Sequence, residues 1–269
     1  HKSSRGLGDV YKRQKKVKAD SGGEVAGAAM RGLRTDTNID TISGLVFNAW
    51  GDRSFDAPYG VWFDGDWDKP RLDDPAIQKG LSDYAGLMQA GPSDILSYNW
   101  NEAGNAFCNG QAAFFADASL FGPWFETDDC PVSKGNTGYM ALPPQAKGGT
   151  SYTANWQWGI GMGANAQEKD AGWYFIQYMT NKATEAVIGT FHGGAGRLST
   201  WENDSYTSTL NPDYVSATLE SMKTVRTSVV PVKDFNKYAL EIMDVILDIH
   251  GGASSEDATA KGNANFKAM

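Results

Sequence analysis

Histidine and cysteine are scarce in this chain of 269 residues, which contains three of the former and two of the latter. They are not clustered, so a zinc site lacks its soft ligands, and no histidine, carboxylate and nucleophile form a catalytic set. Basic residues are also a minority, since 24 lysines and arginines against 32 aspartates and glutamates leave a formal charge of -8. Nucleic-acid binding needs a clustered positive surface. We therefore predict no nucleic-acid partner, no metal, no cofactor and no catalytic residue.

Long apolar runs are lacking as well, and no segment approaches the roughly 18 residues of a membrane span. No apolar leader opens the chain. Residues 1–14 (HKSSRGLGDVYKRQ) instead resemble a translated library-adapter sequence at the end of a metagenomic assembly, with an ordinary basic N-terminal arm as the alternative. We therefore treat residues 1–24 as artefact and linker, and expect ordered structure to begin near Val25.

Aromatic residues, by contrast, are abundant, with nine Trp, 11 Tyr and 12 Phe. Aromatic side chains mixed with Asn, Asp, Gln and Arg are typical of sugar-binding surfaces, because sugar rings stack on indoles and hydroxyl pairs take bidentate hydrogen bonds. Segments 98–102 and 155–158 have this mixture, and segments 117–119 and 196–200 add hydrogen-bonding side chains; all four lie at the predicted ends of elements. A carbohydrate ligand is one interpretation, and core packing is the alternative for each indole.

Apolar periodicity predicts helices over 37–50, 75–90, 99–109, 168–189, 214–223 and 235–247. Short apolar runs predict buried strands over 25–33, 112–116 and 138–143, and Asp-Gly between aromatic residues predicts a hairpin over 62–67. Trp173 lies on the apolar face of the 168–189 helix and is interpreted as core. Strands and helices alternate without a repeat, which indicates an α/β class.

In this order, the segments resemble the extracellular (periplasmic) solute-binding proteins, family 1, of sugar- and polyol-type ABC importers. The matching stretches are AAMRGLR (28–34), RLDDPAIQKGLSDYAGLM (71–88), SYNWNEAGNAFCNGQAAFFADAS (97–119), GYMALPP (138–144), NWQWGIGM (155–162) and KDAGWYFIQYMTNKATEAVIG (169–189). The resemblance covers residue 25 to the end, and 97–119 is its most specific part. It implies a type II periplasmic-binding-protein-like α/β fold of two lobes joined by hinge strands.

The resemblance also implies that the first lobe is incomplete, because most of that lobe normally precedes the AAMRGLR match. Residues 25–143 would begin the second lobe, 144–196 would be a returning segment of the first, and 197–269 would complete the second. The implied function is to bind a carbohydrate or polyol between the lobes, without catalysis, and to deliver it to an ABC importer permease. A bacterial monomer in the periplasm or outside the cell, membrane-associated through the transporter, is implied. Such a fragment is expected to bind sugar poorly and to expose apolar faces.

The ligand residues implied by the motif matches are Arg31, Trp100, Asp117, Trp156, Trp158 and Arg197. Strand alternation would place both indoles of 155–158 on one face, and Trp158 is favoured for stacking because Gly159 leaves room for a ring. Structural roles are the alternatives: core packing for the indoles, a turn or N-cap for Asp117, a surface cation for Arg31, and a helix C-terminus for Arg197.

Two other classes remain open. A glycoside hydrolase would need two facing carboxylates, and Glu102 and Asp117 are candidates that no spacing pairs. A non-transport carbohydrate-binding module of lectin type predicts an all-β pattern, against the helices predicted here. Cys108 and Cys130 could form a disulfide worth about 3 kcal/mol in an exported protein. We favour two free thiols, because members of the resembled family commonly lack both.

Overall fold

The structure, a computed structural model, describes residues 7–54, 58–192 and 194–269. The helices described are α1 (Leu7–Asp20), α2 (Ile39–Trp50), α3 (Pro75–Gln89), α4 (Trp100–Cys108), α5 (Phe121–Phe125), α6 (Lys169–Thr180), α7 (Lys182–His192), α8 (Leu198–Trp201), α9 (Asp204–Thr207), α10 (Pro212–Met222), α11 (Phe235–His250) and α12 (Ser255–Lys267). Strands β1 (Thr153–Asn155) and β2 (Val225–Thr227) are parallel, with Ala154 opposite Arg226. None of these helices combines the length and apolar character needed to cross a membrane.

The chain divides into two units. Unit 1 comprises the chain up to Asp117, Ala141–Trp156 and Ser221–Met269, and unit 2 comprises Ala118–Met140 and Gln157–Glu220. The chain therefore passes from one unit to the other four times. The predicted lobe boundaries lie at 24/25, 143/144 and 196/197, and the assignment of segments to lobes stays a prediction.

The core of unit 1 is built on α2, which packs against α3 and β1, while α11 packs against α3 and α12. Helix α3 begins where the sequence predicts, because the Asp74 side chain accepts a hydrogen bond from the backbone N–H of Ala76 and Pro75 occupies the first turn. A Cβ added at Gly80 would lie 2.5 Å from the Cα of Val46, so this glycine permits the close approach of α3 to α2.

The predicted strands are only partly confirmed. Segments 25–33 and 112–116 meet through two isolated parallel bridges, Ala26 with Ala112 and Ala29 with Phe115, without a continuous ladder. Segment 138–143 contains no described strand. The apolar runs identified burial, but a strand also needs a partner in register, which composition does not supply.

The core of unit 2 is rich in aromatic rings: Phe121 stacks on Phe125, and Trp201 packs edge-on against Tyr206 and at a tilt against Tyr214. None of the side chains of α6 is buried. The interpretation of Trp173 as core is wrong, because 56% of it is exposed. Helical periodicity identifies side chains that share a face, but it does not decide whether anything covers that face.

Two predictions of where ordered elements begin and end are also wrong. Structure begins before Val25, since Leu7–Asp20 is helical and Gln14 is buried. The predicted helix over 168–189 is broken at Asn181. The Asn181 Oδ1 accepts from the backbone N–H groups of Ala183 and Thr184 at 3.0 Å and so caps the start of α7. The C-terminal residues, for which no element is predicted, form α12, which Ser254 caps.

The preference for free thiols is wrong as well. Cys108 and Cys130 are both disulfide-bonded, and none of the cysteines in the described ranges is free.

Candidate functional site

Arg31 and Asp117 form a buried ion pair in unit 1. The Arg31 Nε lies 2.8 Å from the Asp117 Oδ2, and the Arg31 Nη2 donates to the Asp117 Oδ1 at 3.1 Å. The two side chains are 3% and 1% exposed. The guanidinium contacts both carboxylate oxygens, but only the Nη2 contact has hydrogen-bond geometry. The two predicted ligand residues therefore compensate each other's charge.

Asp40 and Thr41, in the first turn of α2, lie beside this pair. Together, Arg31, Asp40, Thr41 and Asp117 are called the buried ion cluster. The Arg31 Nη2 also donates to the Thr41 hydroxyl at 2.8 Å, which itself donates to the Asp117 Oδ1 at 3.3 Å. Asp40 lies farther away, with its Oδ2 3.9 Å from the Arg31 Nη2. Burial raises the pKa of Asp40 to about 6; Arg31 opposes this shift, and Asp117 and Asp36 add to it.

Trp100 and Trp156, also in unit 1, are each half-buried. Trp100 is the first residue of α4. A capping box sets the start of this helix, because the Asn99 backbone N–H donates to the Glu102 Oε2 at 3.0 Å. Trp156 follows the last residue of β1. The two carboxylates considered for hydrolysis are thus both engaged by other groups, Glu102 by the Asn99 backbone N–H in the cap and Asp117 by Arg31.

Trp158 and Arg197 belong to unit 2, and Trp158 is 83% exposed, which rules out core packing for it in this structure. Strand β1 ends at Asn155, so the strand alternation that predicted a face shared with Trp156 is wrong. Arg197 donates to the carbonyl of Thr180, the last residue of α6, at 2.6 Å. This is the helix C-terminal role that the sequence left open as an alternative.

Glu185 holds the 196–200 segment in place, although it is not among the residues predicted from the sequence. Its Oε1 accepts from the Gly196 backbone N–H at 3.0 Å, and its Oε2 accepts from the Thr200 hydroxyl at 3.0 Å and lies 3.4 Å from the Arg197 Nε. Its position in the first turn of α7, shortly before a glycine-rich loop with an arginine, is the signal that could have indicated it.

Small cavities occur in each of the two units. One, of about 200 Å³, lies in unit 1 and is lined by residues that include Asp83 and Gln89. Another, of about 140 Å³, lies in unit 2 beside Glu126 and Asn211. Neither is lined by a predicted ligand residue.

The chain belongs to the family of bacterial extracellular solute-binding proteins, whose pattern matches residues 23–186. It is 28% identical over 208 residues to the mannitol-binding protein of Pseudomonas aeruginosa, an alignment that covers 74% of this chain and 44% of that protein. The chain thus spans less than half the length of this relative.

Solved structures show the same fold. An ABC transporter solute-binding protein from Agrobacterium radiobacter K84 in complex with ribitol has a TM-score of 0.78 at 18% identity, over 98% of this chain and 64% of that chain. One from Agrobacterium vitis S4 with bound D-mannitol has a TM-score of 0.76 at 20% identity, over 98% and 65%. Maltose-bound MalE3 of T. maritima has a TM-score of 0.79 at 19% identity, over 98% and 65%. The predicted type II periplasmic-binding-protein-like α/β fold is confirmed.

Proposed function

We propose that this chain binds a carbohydrate or polyol as the extracellular component of an ABC importer and delivers it to the permease. The observation that carries the proposal is the 28% identity to a mannitol-binding protein over 74% of the chain. The ribitol-, D-mannitol- and maltose-bound proteins of similar fold support the same class of ligand. Since the family is one of solute-binding proteins, we infer binding without a bond-breaking step.

The state of the cysteines supports a place outside the cytoplasm. Both are disulfide-bonded, and disulfides persist in oxidising compartments such as the periplasm and the cell exterior. We infer a periplasmic or extracellular monomer that meets the membrane through the permease.

Trp158 is the proposed stacking residue. Its indole is 83% exposed, and a Cβ added at the neighbouring Gly159 would meet no atom within 4 Å, which leaves space for a sugar ring. Trp100, Trp156 and Arg197 remain proposed contacts. The buried ion pair of Arg31 with Asp117 favours a structural role for both over a direct contact.

Isothermal titration of the 269-residue chain with mannitol, ribitol and maltose, with an amino acid as the negative control, tests the proposal. We expect saturable binding of at least one sugar or polyol. Its dissociation constant should be above about 1 μM, because the resemblance implies an incomplete set of ligand contacts. No detectable binding of any of the three compounds would contradict the proposed binding, and release of reducing ends from oligosaccharides would contradict the absence of catalysis.

The variant Trp158→Ala tests the stacking role. We expect it to weaken binding by about 1–3 kcal/mol, the scale of one large stacking surface. Its unfolding temperature should hardly change, since an exposed side chain leaves no cavity. Trp173→Ala is the matched control, because Trp173 is another exposed indole of unit 2. Equal affinities of the two variants would refute the role of Trp158.

A further inference from the structure

The passages of the chain between the two units converge on one helix of unit 1. The connecting segments are defined here as the parts of unit 1 that lead to unit 2: the end at Asp117, the piece Ala141–Trp156, and the start at Ser221. Each of them makes a hydrogen bond to a residue of α2 or to Gly51 just beyond its end.

The first connecting segment is held at the start of α2. The Thr41 hydroxyl donates to the Asp117 Oδ1 at 3.3 Å, and Arg31 links the same carboxylate to the backbone of this region by donating to the Thr37 carbonyl at 3.1 Å. Asp117, the last residue of unit 1 before the chain leaves it, is therefore fixed through its buried side chain.

The second connecting segment is held by Asn48 in the last turns of α2. The Asn48 Nδ2 donates to the Pro143 carbonyl at 2.7 Å, and its Oδ1 accepts from the Tyr152 backbone N–H at 3.3 Å. One side chain, only 2% exposed, thus engages the segment near both of its ends. An apolar residue would fill the same space, so what the amide adds is these two backbone bonds, whose loss would leave buried polar groups unsatisfied.

The third connecting segment is held at the end of α2. Strand β2 pairs with β1, which packs on α2. The Arg226 Nη2 donates to the carbonyl of Gly51, the C-cap of α2, at 2.8 Å, and the guanidinium lies 3.8 Å from the centre of the Tyr152 ring. Arg226 therefore ties the third segment both to the helix and to the second segment.

We propose that α2 anchors the connecting segments and that Asn48 is the central positioning residue. In proteins that close around a ligand, a few loop or element-terminal residues absorb the change in backbone angles. Such residues can act as hinges only if the segments beside them keep a fixed position in their own unit. The link to solute binding rests on the proposed function, whereas the anchoring itself does not.

Hydrogen–deuterium exchange on the full chain tests the anchoring without any solute. Asn48→Leu keeps the number and branching of the side-chain heavy atoms but removes both backbone bonds. We expect amides of Ala141–Trp156 to exchange at least roughly tenfold faster, the scale of one or two lost buried hydrogen bonds. Asn38→Leu is the matched control, because Asn38 is likewise buried but donates to the Leu33 carbonyl at 2.9 Å rather than to a connecting segment.

Faster exchange in Ala141–Trp156 for Asn48→Leu alone supports the proposal, and equal effects of the two variants, or none, overturn it. If Asn48→Leu does not fold, Asn48→Asp is read in the same way, since it keeps the acceptor for Tyr152 and loses the donor to Pro143. Unchanged exchange in that variant overturns the proposal too. Titration with mannitol is a separate readout: a wild-type chain that binds no solute refutes the proposed function and leaves the exchange result to decide the anchoring.

Discussion

Removing the guanidinium of Arg31 should destabilise unit 1 far more than removing that of an exposed arginine. In Arg31→Met, the Asp117 carboxylate, 1% exposed, would lose its ion pair and one hydrogen bond with the guanidinium. Leaving one partner of a buried pair uncompensated costs about 3–5 kcal/mol. That is a large share of the about 5–15 kcal/mol by which native proteins are stable.

The matched control is Arg34→Met in the same unit. Arg34 makes a bidentate pair, with its Nε 2.5 Å and its Nη2 2.6 Å from the two carboxylate oxygens of Asp244. That pair is solvated, with side chains 51% and 30% exposed, so its loss should cost only about 0–1 kcal/mol. The contrast between the variants compares a buried Arg–Asp pair with a solvated Arg–Asp pair under the same substitution.

Urea unfolding followed by circular dichroism measures both effects. We expect the midpoint to fall by more than about 1 M for Arg31→Met, given slopes of roughly 1–3 kcal/mol per M, and much less for Arg34→Met. Adding Asp117→Leu to Arg31→Met should recover most of the loss, because an apolar pair leaves no buried charge. Midpoints that fall equally in the two single variants would refute the reasoning. A loss of solute affinity at unchanged midpoint would restore Arg31 as a direct ligand contact.

Two further predictions concern α2 and the helix packed on it. The pKa of Asp40 is raised to about 6 in the folded protein, so this group stabilises the fold below its ordinary pKa, and that contribution is lost as pH rises toward 6. The unfolding free energy of Asp40→Asn relative to wild type should therefore increase over this window and level off above it in denaturation at pH 4 to 8; a flat difference would contradict the shift. Gly80→Ala should cost about 1–3 kcal/mol through overpacking, since its Cβ would lie 2.5 Å from the α2 backbone. Gly44→Ala, with its nearest neighbour at 3.6 Å, should gain up to about 1 kcal/mol of helix propensity, and thermal unfolding that ranks the two variants the other way would be evidence against the close approach.

The sequence by itself determined the elements whose signals are local. Asp74 with Pro75, and Asn99 with Glu102, marked the starts of α3 and α4, because a cap and its helix lie within a few residues of each other. The order of several weak motifs also identified the family that the match over residues 23–186 shows. Order along the chain needs no knowledge of which distant residues meet.

The tertiary structure alone decided how the candidate residues are used. Arg31 and Asp117 lie 86 positions apart, and neither local sequence predicts that they neutralise each other in a buried pair. The exposure of Trp173 is likewise invisible in a helical pattern, because periodicity is the same whether or not a face is covered. Asn48 is one of several polar residues in α2, and only the fold brings Pro143 and Tyr152 to its two amide atoms. Burial, pairing and contact between distant segments depend on long-range packing, which a single sequence does not record.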